Sequence, residues 1–169
     1  SLPKRYDRNP VALSGNFDIL INISASPFTV GKQELRERML ADLARRYNAE
    51  AVYVNQVGGN DELVFDGRSM RFDASGNLTH RGAGFEETVL IADPEHVEIA
   101  PDDQTSEAET WRALVLGTRD YIRKNGMRSA LIGLSGGVDS ALVAAIACEA
   151  IGADHVTGIL MPSPWSSEH

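Results

Sequence analysis

One cysteine, Cys148, is the whole thiol content of these 169 residues. An internal disulfide therefore cannot form, and no zinc cluster can be built from thiolates. The histidines, His80, His96, His155 and His169, are scattered, without the short spacings of metal ligands. Each reads as an exposed or hydrogen-bonded side chain. Positive charge is also short: 16 Lys and Arg face 24 Asp and Glu, a net charge of −8. An acidic surface repels phosphate backbones, which argues against a nucleic-acid partner. No apolar run exceeds strand length, so no segment is predicted to span a membrane. The residues Ser1-Leu2-Pro3-Lys4-Arg5-Tyr6-Asp7 lack the apolar centre of a signal peptide, and the expected compartment is the cytoplasm. Internal repeats and low-complexity tracts are missing too. What remains is 43% hydrophobic, the make-up of a soluble globular protein and enough for one ordinary domain or two partial ones. The sequence opens without Met and closes at Ser166-Ser167-Glu168-His169, just after a predicted strand. It is expected to be an internal piece of a longer chain.

Apolar periodicity gives the elements that are present. Asp18 to Ile23 is an apolar run that predicts a buried strand. From Lys32 to Tyr47, Leu35, Met39, Leu40, Leu43, Ala44 and Tyr47 recur at helical spacing with charges between them. Ala51 to Asn55 predicts the next strand, so this stretch has a βαβ-type order. Gly58-Gly59-Asn60-Asp61 reads as a loop. Ser69 to Phe72 and Leu78 to His80 flank Asp73-Ala74-Ser75-Gly76-Asn77, a β-hairpin whose turn leaves Gly76 free for a positive φ. Thr88 to Ala92 predicts a further strand. Residues 93–105, acidic and carrying Pro94 and Pro101, read as a linker between residues 1–92 and 106–169. Ser106-Glu107-Ala108-Glu109 matches a capping box that opens a helix running to about Lys124, with Asn125-Gly126 ending it. Trp111 is expected in the core.

Ala130 to Leu134 then predicts a strand, Ser135 to Asp139 a turn, and Ser140 to Ala150 a helix. That helix is apolar nearly all round and therefore expected to be buried. Gly152 breaks it, and Val156 to Met161 predicts a second, parallel strand. At the turn lies Gly133-Leu134-Ser135-Gly136-Gly137-Val138-Asp139-Ser140. A helix start presents free N–H groups and partial positive charge to an anion. Gly136 and Gly137 clear side chains from the backbone, and Ser135 and Ser140 add hydroxyl donors. Asp139 is unfavourable beside an anion unless a cation lies between them, and a Mg²⁺ on the phosphate oxygens would remove the conflict. The Gly-Lys-Ser/Thr ending of a Walker A loop is absent, and the glycine spacing is not that of the dinucleotide fingerprint.

The six residues from Ser135 to Ser140 resemble the SGGxDS loop of the ATP-pyrophosphatase (PP-loop) families, which cleave ATP between its α and β phosphates. Earlier segments narrow the choice. Asn22-Ile23-Ser24-Ala25-Ser26-Pro27-Phe28 with Gly31-Lys32 resembles nitrilase-type glutaminase domains. Tyr53-Val54-Asn55-Gln56-Val57-Gly58-Gly59 and Asp61-Glu62-Leu63-Val64-Phe65-Asp66-Gly67-Arg68-Ser69 resemble that domain in glutamine-dependent NAD synthetases. Met161-Pro162-Ser163 and the closing Ser166-Ser167-Glu168-His169 look like the same family.

The resemblance implies an α/β chain throughout: a partial nitrilase-like sandwich over 1–92, then the start of a Rossmann-like adenine-nucleotide sheet over 106–169. It implies a ligase that adenylates deamido-NAD with ATP and Mg²⁺ and uses ammonia from glutamine, or free ammonia, to give NAD. Residues 133–140 would bind ATP and pyrophosphate, with Asp139 on the metal. Ser26 and Lys32 would contact glutamine, although by residue type alone they are a turn residue before a proline and a first-turn helix residue. The family's glutamate, lysine and cysteine triad would precede Ser1, so none is expected here, and Cys148 reads as packing. A homo-oligomer is the expected assembly. The competing readings are a nitrilase-type amide hydrolase, another PP-loop ATP pyrophosphatase such as a tRNA-thiolating enzyme, and a non-catalytic nucleotide-binding module.

Overall fold

The computed structural model describes Val11 and residues 15–101 and 105–161. The family-like tail after Met161, His169 and the opening segment lie outside the described residues.

Ile19–Ser24 (β1) and Glu50–Asn55 (β2) flank the helix Lys32–Tyr47 (α1) and pair in parallel, Ile19 opposite Glu50 and Ser24 opposite Asn55. The helix carries Glu34 in its first turn and Arg45 and Arg46 in its last, the order that suits its dipole. Asn48 ends it in the left-handed region at φ 47°. The buried face of α1, Leu40 and Ala44, meets Ala51, Tyr53, Met70 and Phe72 in the main core.

Val57–Asn60 (β3) and Leu63–Asp66 (β4) form a separate antiparallel hairpin. Of the residues Gly58 to Asp61, expected to form a loop, only Asp61 is turn. Met70–Phe72 (β5) and Leu78–Arg81 (β6) are the predicted hairpin, with Gly76 at φ +79°. Glu98–Ile99 (β7) joins β6 in parallel, giving a mixed five-stranded sheet ordered β1-β2-β5-β6-β7. The stretch 93–105, expected to be a linker, therefore carries a strand of the sheet.

Three further segments depart from the pattern that their residues suggest. Thr88 to Ala92 is no strand, and Val89 and Ile91 are 93% and 79% exposed. An apolar run becomes a strand only where a neighbour takes its backbone hydrogen bonds. β1 is not fully buried: Ile19, Ile21 and Ile23 stand on an open sheet face. The capping box sits one residue early. Thr105 is the N-cap of the helix Ser106–Lys124 (α2), its Oγ1 accepting from Ala108 N–H at 3.3 Å. Glu109 does not return to the cap but reaches Arg68, Nη2 to Oε1 2.5 Å.

The helix α2 packs against the β3–β4 hairpin. Ala113 and Leu116 enter a second core with Phe85, Phe28, Val57 and Val64. Gly59 N–H donates to Asp120 Oδ2 at 2.8 Å, and Lys124 Nζ donates to Gly59 O. A Cβ on Gly59 would stand 3.0 Å from Gly117 Cα, so the glycine pair records a close backbone approach. Gly58 adopts φ +127°, and a Cβ there would lie 2.8 Å from Asp120 Oδ2. Gly58→Ala is expected to cost about 2 kcal/mol through strain and overpacking, seen as a lower calorimetric midpoint. An unchanged midpoint would show that α2 yields freely at this contact.

Ala130–Leu134 (β8) and Val156–Leu160 (β9) make the predicted parallel pair, Ala130 opposite Val156, around the helix Val138–Ile151 (α3). The helix starts two residues earlier than Ser140. It is not buried all round, because Val138, Leu142 and Val143 are exposed while Ile146, Ala147 and Ala150 are covered. An all-apolar helix needs packing on every side, and here α2, β8 and β9 cover only part of it. Trp111 is half-buried rather than core, its Nε1 donating to Glu149 Oε2 of α3 at 2.7 Å. The expected α/β class holds throughout, with parallel strand pairs in both halves. No helix among the described residues is long and apolar enough to cross a membrane.

Candidate functional site

The loop from β8 to α3 is built by its own residues. Gly136 sits at φ +84° with open space where a side chain would be. Gly137 is the N-cap in an extended conformation and supplies no side-chain bond, so the first-turn amides have no cap of that kind. Two serines brace the turn. Ser140 Oγ donates to Gly137 O at 2.9 Å, and Ser135 N–H donates to Ser140 Oγ at 3.3 Å. Gly137 N–H in turn donates to Ser135 Oγ at 3.4 Å. Residues 135–139 are exposed, with Asp139 in the first turn. Gly133 and Leu134 end β8. Gly133 lies tight against Met161, and Leu134 Cδ1 lies 2.7 Å from the Cβ position of Gly158, so both pack toward β9. The arrangement can take an anion on its amides and hydroxyls. Among the described residues no cluster of three or more His, Cys, Asp and Glu could hold a metal, so Asp139 would need ligand oxygens to complete a cation site.

A second feature lies in the first half. Asn22 and Ser24 of β1, Ser26 beyond it, Lys32, Leu35, Arg36 and Met39 of α1, and Tyr53 of β2 line a cavity of about 190 Å³. The structure thus brings Ser26 and Lys32 together. Lys32 Nζ donates to Pro27 O at 2.7 Å. Burial holds the Lys32 pKa below its ordinary value, the Arg36 charge adds to this, and Asp66 opposes both.

Behind Lys32 lies a buried charge network that the sequence reading did not assign. Arg36 grips Asp66 with both Nη atoms, at 3.0 and 2.7 Å. Asp66 also meets Arg68 Nη1 at 3.4 Å, and Arg68 continues to Glu109 of α2. The side chains of Arg36, Asp66 and Arg68 are at most 4% exposed. Tyr53 Oη and Arg36 Nε are buried without a hydrogen-bond partner among the described residues. The ammonium and hydroxyl groups of the cavity suit a polar molecule with a carboxylate. Cys148 is half-buried on α3, outside the cavity.

A family model described as NAD synthase matches residues 110–169. A glutamine-dependent NAD(+) synthetase of Synechocystis sp. is 43% identical over 175 residues, a match taking in 98% of this chain and 31% of that protein. One from Thermotoga maritima is 39% identical over 196 residues, with 94% of this chain and 34% of that protein covered. Among solved structures, the glutamine-dependent NAD+ synthetase from Acinetobacter baumannii in complex with adenosine diphosphate superposes with a TM-score of 0.86. That match is 37% identical and covers 94% of this chain and 31% of the other. The chain spans about a third of the length of the curated relatives it matches. Along nearly its whole length, in sequence and in fold, the chain is similar to glutamine-dependent NAD(+) synthetases.

Proposed function

We propose that the intact protein is a ligase that amidates deamido-NAD to NAD, with ATP as activator and glutamine or ammonia as nitrogen donor. The observation that carries this is the braced, exposed turn from Ser135 to Ser140 at the start of α3. It supplies backbone donors for the pyrophosphate end of ATP, and the neighbouring α phosphate goes to the carboxylate of deamido-NAD. The oxygen of a carboxylate is a poor leaving group, and the adenylate converts it into a good one. Ammonia then displaces AMP. Mg²⁺, when bound, would neutralise charge on the departing pyrophosphate. A Mg²⁺ site commonly uses one or two carboxylates plus substrate phosphates, which fits the lone exposed Asp139. Residues 106–169 are assigned to the ATP-binding half, 93–105 to the linker and 1–92 to a nitrilase-like glutaminase half. A homo-oligomer in the cytoplasm is part of the same reading.

Ser26 and Lys32 are assigned to glutamine. Their hydroxyl and ammonium suit the polar groups of that substrate. They hold the donor and do not cleave it, since neither is the family's nucleophile.

The test is NAD formation by the intact protein from deamido-NAD, ATP and Mg²⁺ with glutamine or with ammonium. NAD from both donors is expected. Lys32→Ala and Ser26→Ala are each expected to raise the glutamine KM by about tenfold, the weight of one hydrogen bond to a charged or polar group. Pyrophosphate release without NAD would point to another ATP pyrophosphatase. ATP binding without cleavage would point to a nucleotide-binding module.

A further inference from the structure

We propose that Asn55 is a positioning residue for the cavity, its side-chain amide fixing where the Ser26 hydroxyl stands beside Lys32. The inference rests on reading that cavity as the glutamine site.

The parallel ladder of β1 and β2 ends with Ser24 opposite Asn55. Beyond it the chain turns into Ser26-Pro27, and the main-chain groups of Ser26 leave the sheet. The Asn55 side chain replaces the missing strand. Its Oδ1 accepts from Ser26 N–H at 2.8 Å, and its Nδ2 donates to Ser26 O at 3.2 Å. One primary amide thus satisfies both the donor and the acceptor of one peptide residue. Asn55 is 8% exposed, so water competes weakly for these bonds.

The direction of the amide is also set. Asn55 Nδ2 lies 3.5 Å from Asp66 Oδ1. Turned over, the amide oxygen would face both that carboxylate and the Ser26 carbonyl, acceptor against acceptor. The Asn55 backbone is held as well, its N–H donating to Ser69 Oγ at 3.2 Å.

The following residues are pinned in turn. Pro27 O accepts from Lys32 Nζ at 2.7 Å, and Phe28 N–H donates to Val64 O at 2.7 Å. Ser26 Oγ makes no hydrogen bond among the described residues and is left for a ligand, while Asn55 itself does not line the cavity. Asparagine meets this demand where its relatives fail. Aspartate keeps the acceptor, loses the donor and adds a second carboxylate beside Asp66, and alanine offers neither bond.

The experiment is a cycle in the intact protein of Asn55→Ala, Ser26→Ala and the double variant, with NAD formation measured on glutamine and on ammonium. Asn55→Ala is expected to raise the glutamine KM by about tenfold or more, as a displaced contact does, with the ammonium-dependent rate within about twofold of the parent. In the Ser26→Ala background its effect on KM is expected to vanish, because the amide acts through that residue. Should Asn55→Ala lose the ammonium-dependent rate through misfolding, Asn55→Ser takes its place, an uncharged variant whose hydroxyl can keep at most one of the two bonds, with about a threefold rise in KM expected. An unchanged glutamine KM in the Asn55 variants while Ser26→Ala raises it would overturn the assignment, and so would additive effects in the double variant. An unchanged KM in Ser26→Ala would instead remove the reading of the cavity on which the assignment stands.

Discussion

Replacing Asp139 with alanine is expected to lower NAD formation by about 10²–10³-fold with glutamine and with ammonium alike, the scale of losing one electrostatic partner of a developing charge. Both donors suffer because, in the proposed reaction, adenylation precedes the use of ammonia. The fold is expected to survive. Asp139 is exposed in the first turn of α3, where its contribution to the structure is that of a carboxylate at a helix N-terminus, at most about 1 kcal/mol. That stabilising role and a phosphate site conflict unless a cation intervenes, since carboxylate and phosphate repel at contact. Asp139→Asn tests the charge alone. It keeps the shape and loses the charge, so its activity is expected to fall nearly as far as that of the alanine variant, with the thermal midpoint lowered only slightly, by the lost helix-end term of at most about 1 kcal/mol. Pyrophosphate release measured across a Mg²⁺ titration checks this. Parent-like release by either variant would remove Asp139 from the metal site and leave it as a helix-start residue.

The geometry of the turn from Ser135 to Ser140 is legible because its requirements are local. A glycine at φ +84°, a helix beginning at Val138 and two serines five residues apart all lie within one short stretch. The helix α1 was legible for a similar reason, its Leu40 and Ala44 falling on one face at helical spacing. Where partners are distant in sequence, local pattern fails. Asn55 and Ser26 are 29 positions apart, and Arg36 and Asp66 are 30, so no periodicity records either pair. Gly58-Gly59 defeats local pattern for a related reason. A glycine pair suggests a loop, but here it lets a strand touch the backbone of α2 at Gly117. The open sides of β1 and α3 likewise follow from what packs on them, which composition does not encode.

Asp66→Ala is expected to destabilise the protein by about 3 kcal/mol or more, the cost of removing one partner from a buried ion pair. The size follows from what stays behind. Arg68 keeps Glu109 at 2.5 Å, whereas Arg36 loses a two-pronged carboxylate and, among the described residues, keeps only Gln33 Oε1 at 3.3 Å as a side-chain partner. A guanidinium 4% exposed, with its Nε already unpaired, has little water to turn to. Arg36→Met placed in the Asp66→Ala background is therefore expected to recover part of the loss, because it removes the orphaned charge. Urea denaturation of the variants decides the matter. A midpoint unmoved by Asp66→Ala would mean that the charges are solvated and the network contributes nothing. The same substitution reaches the cavity. Asp66 opposes the downward pull on the Lys32 pKa, so its removal lowers that pKa further. A lysine serves a carboxylate as the ammonium, which is lost as pH rises through its pKa. The alkaline rise in glutamine KM should then begin at lower pH in Asp66→Asn, chosen for its shape, than in the parent. An alkaline limb that stays in place would show that the Lys32 charge does not govern glutamine binding.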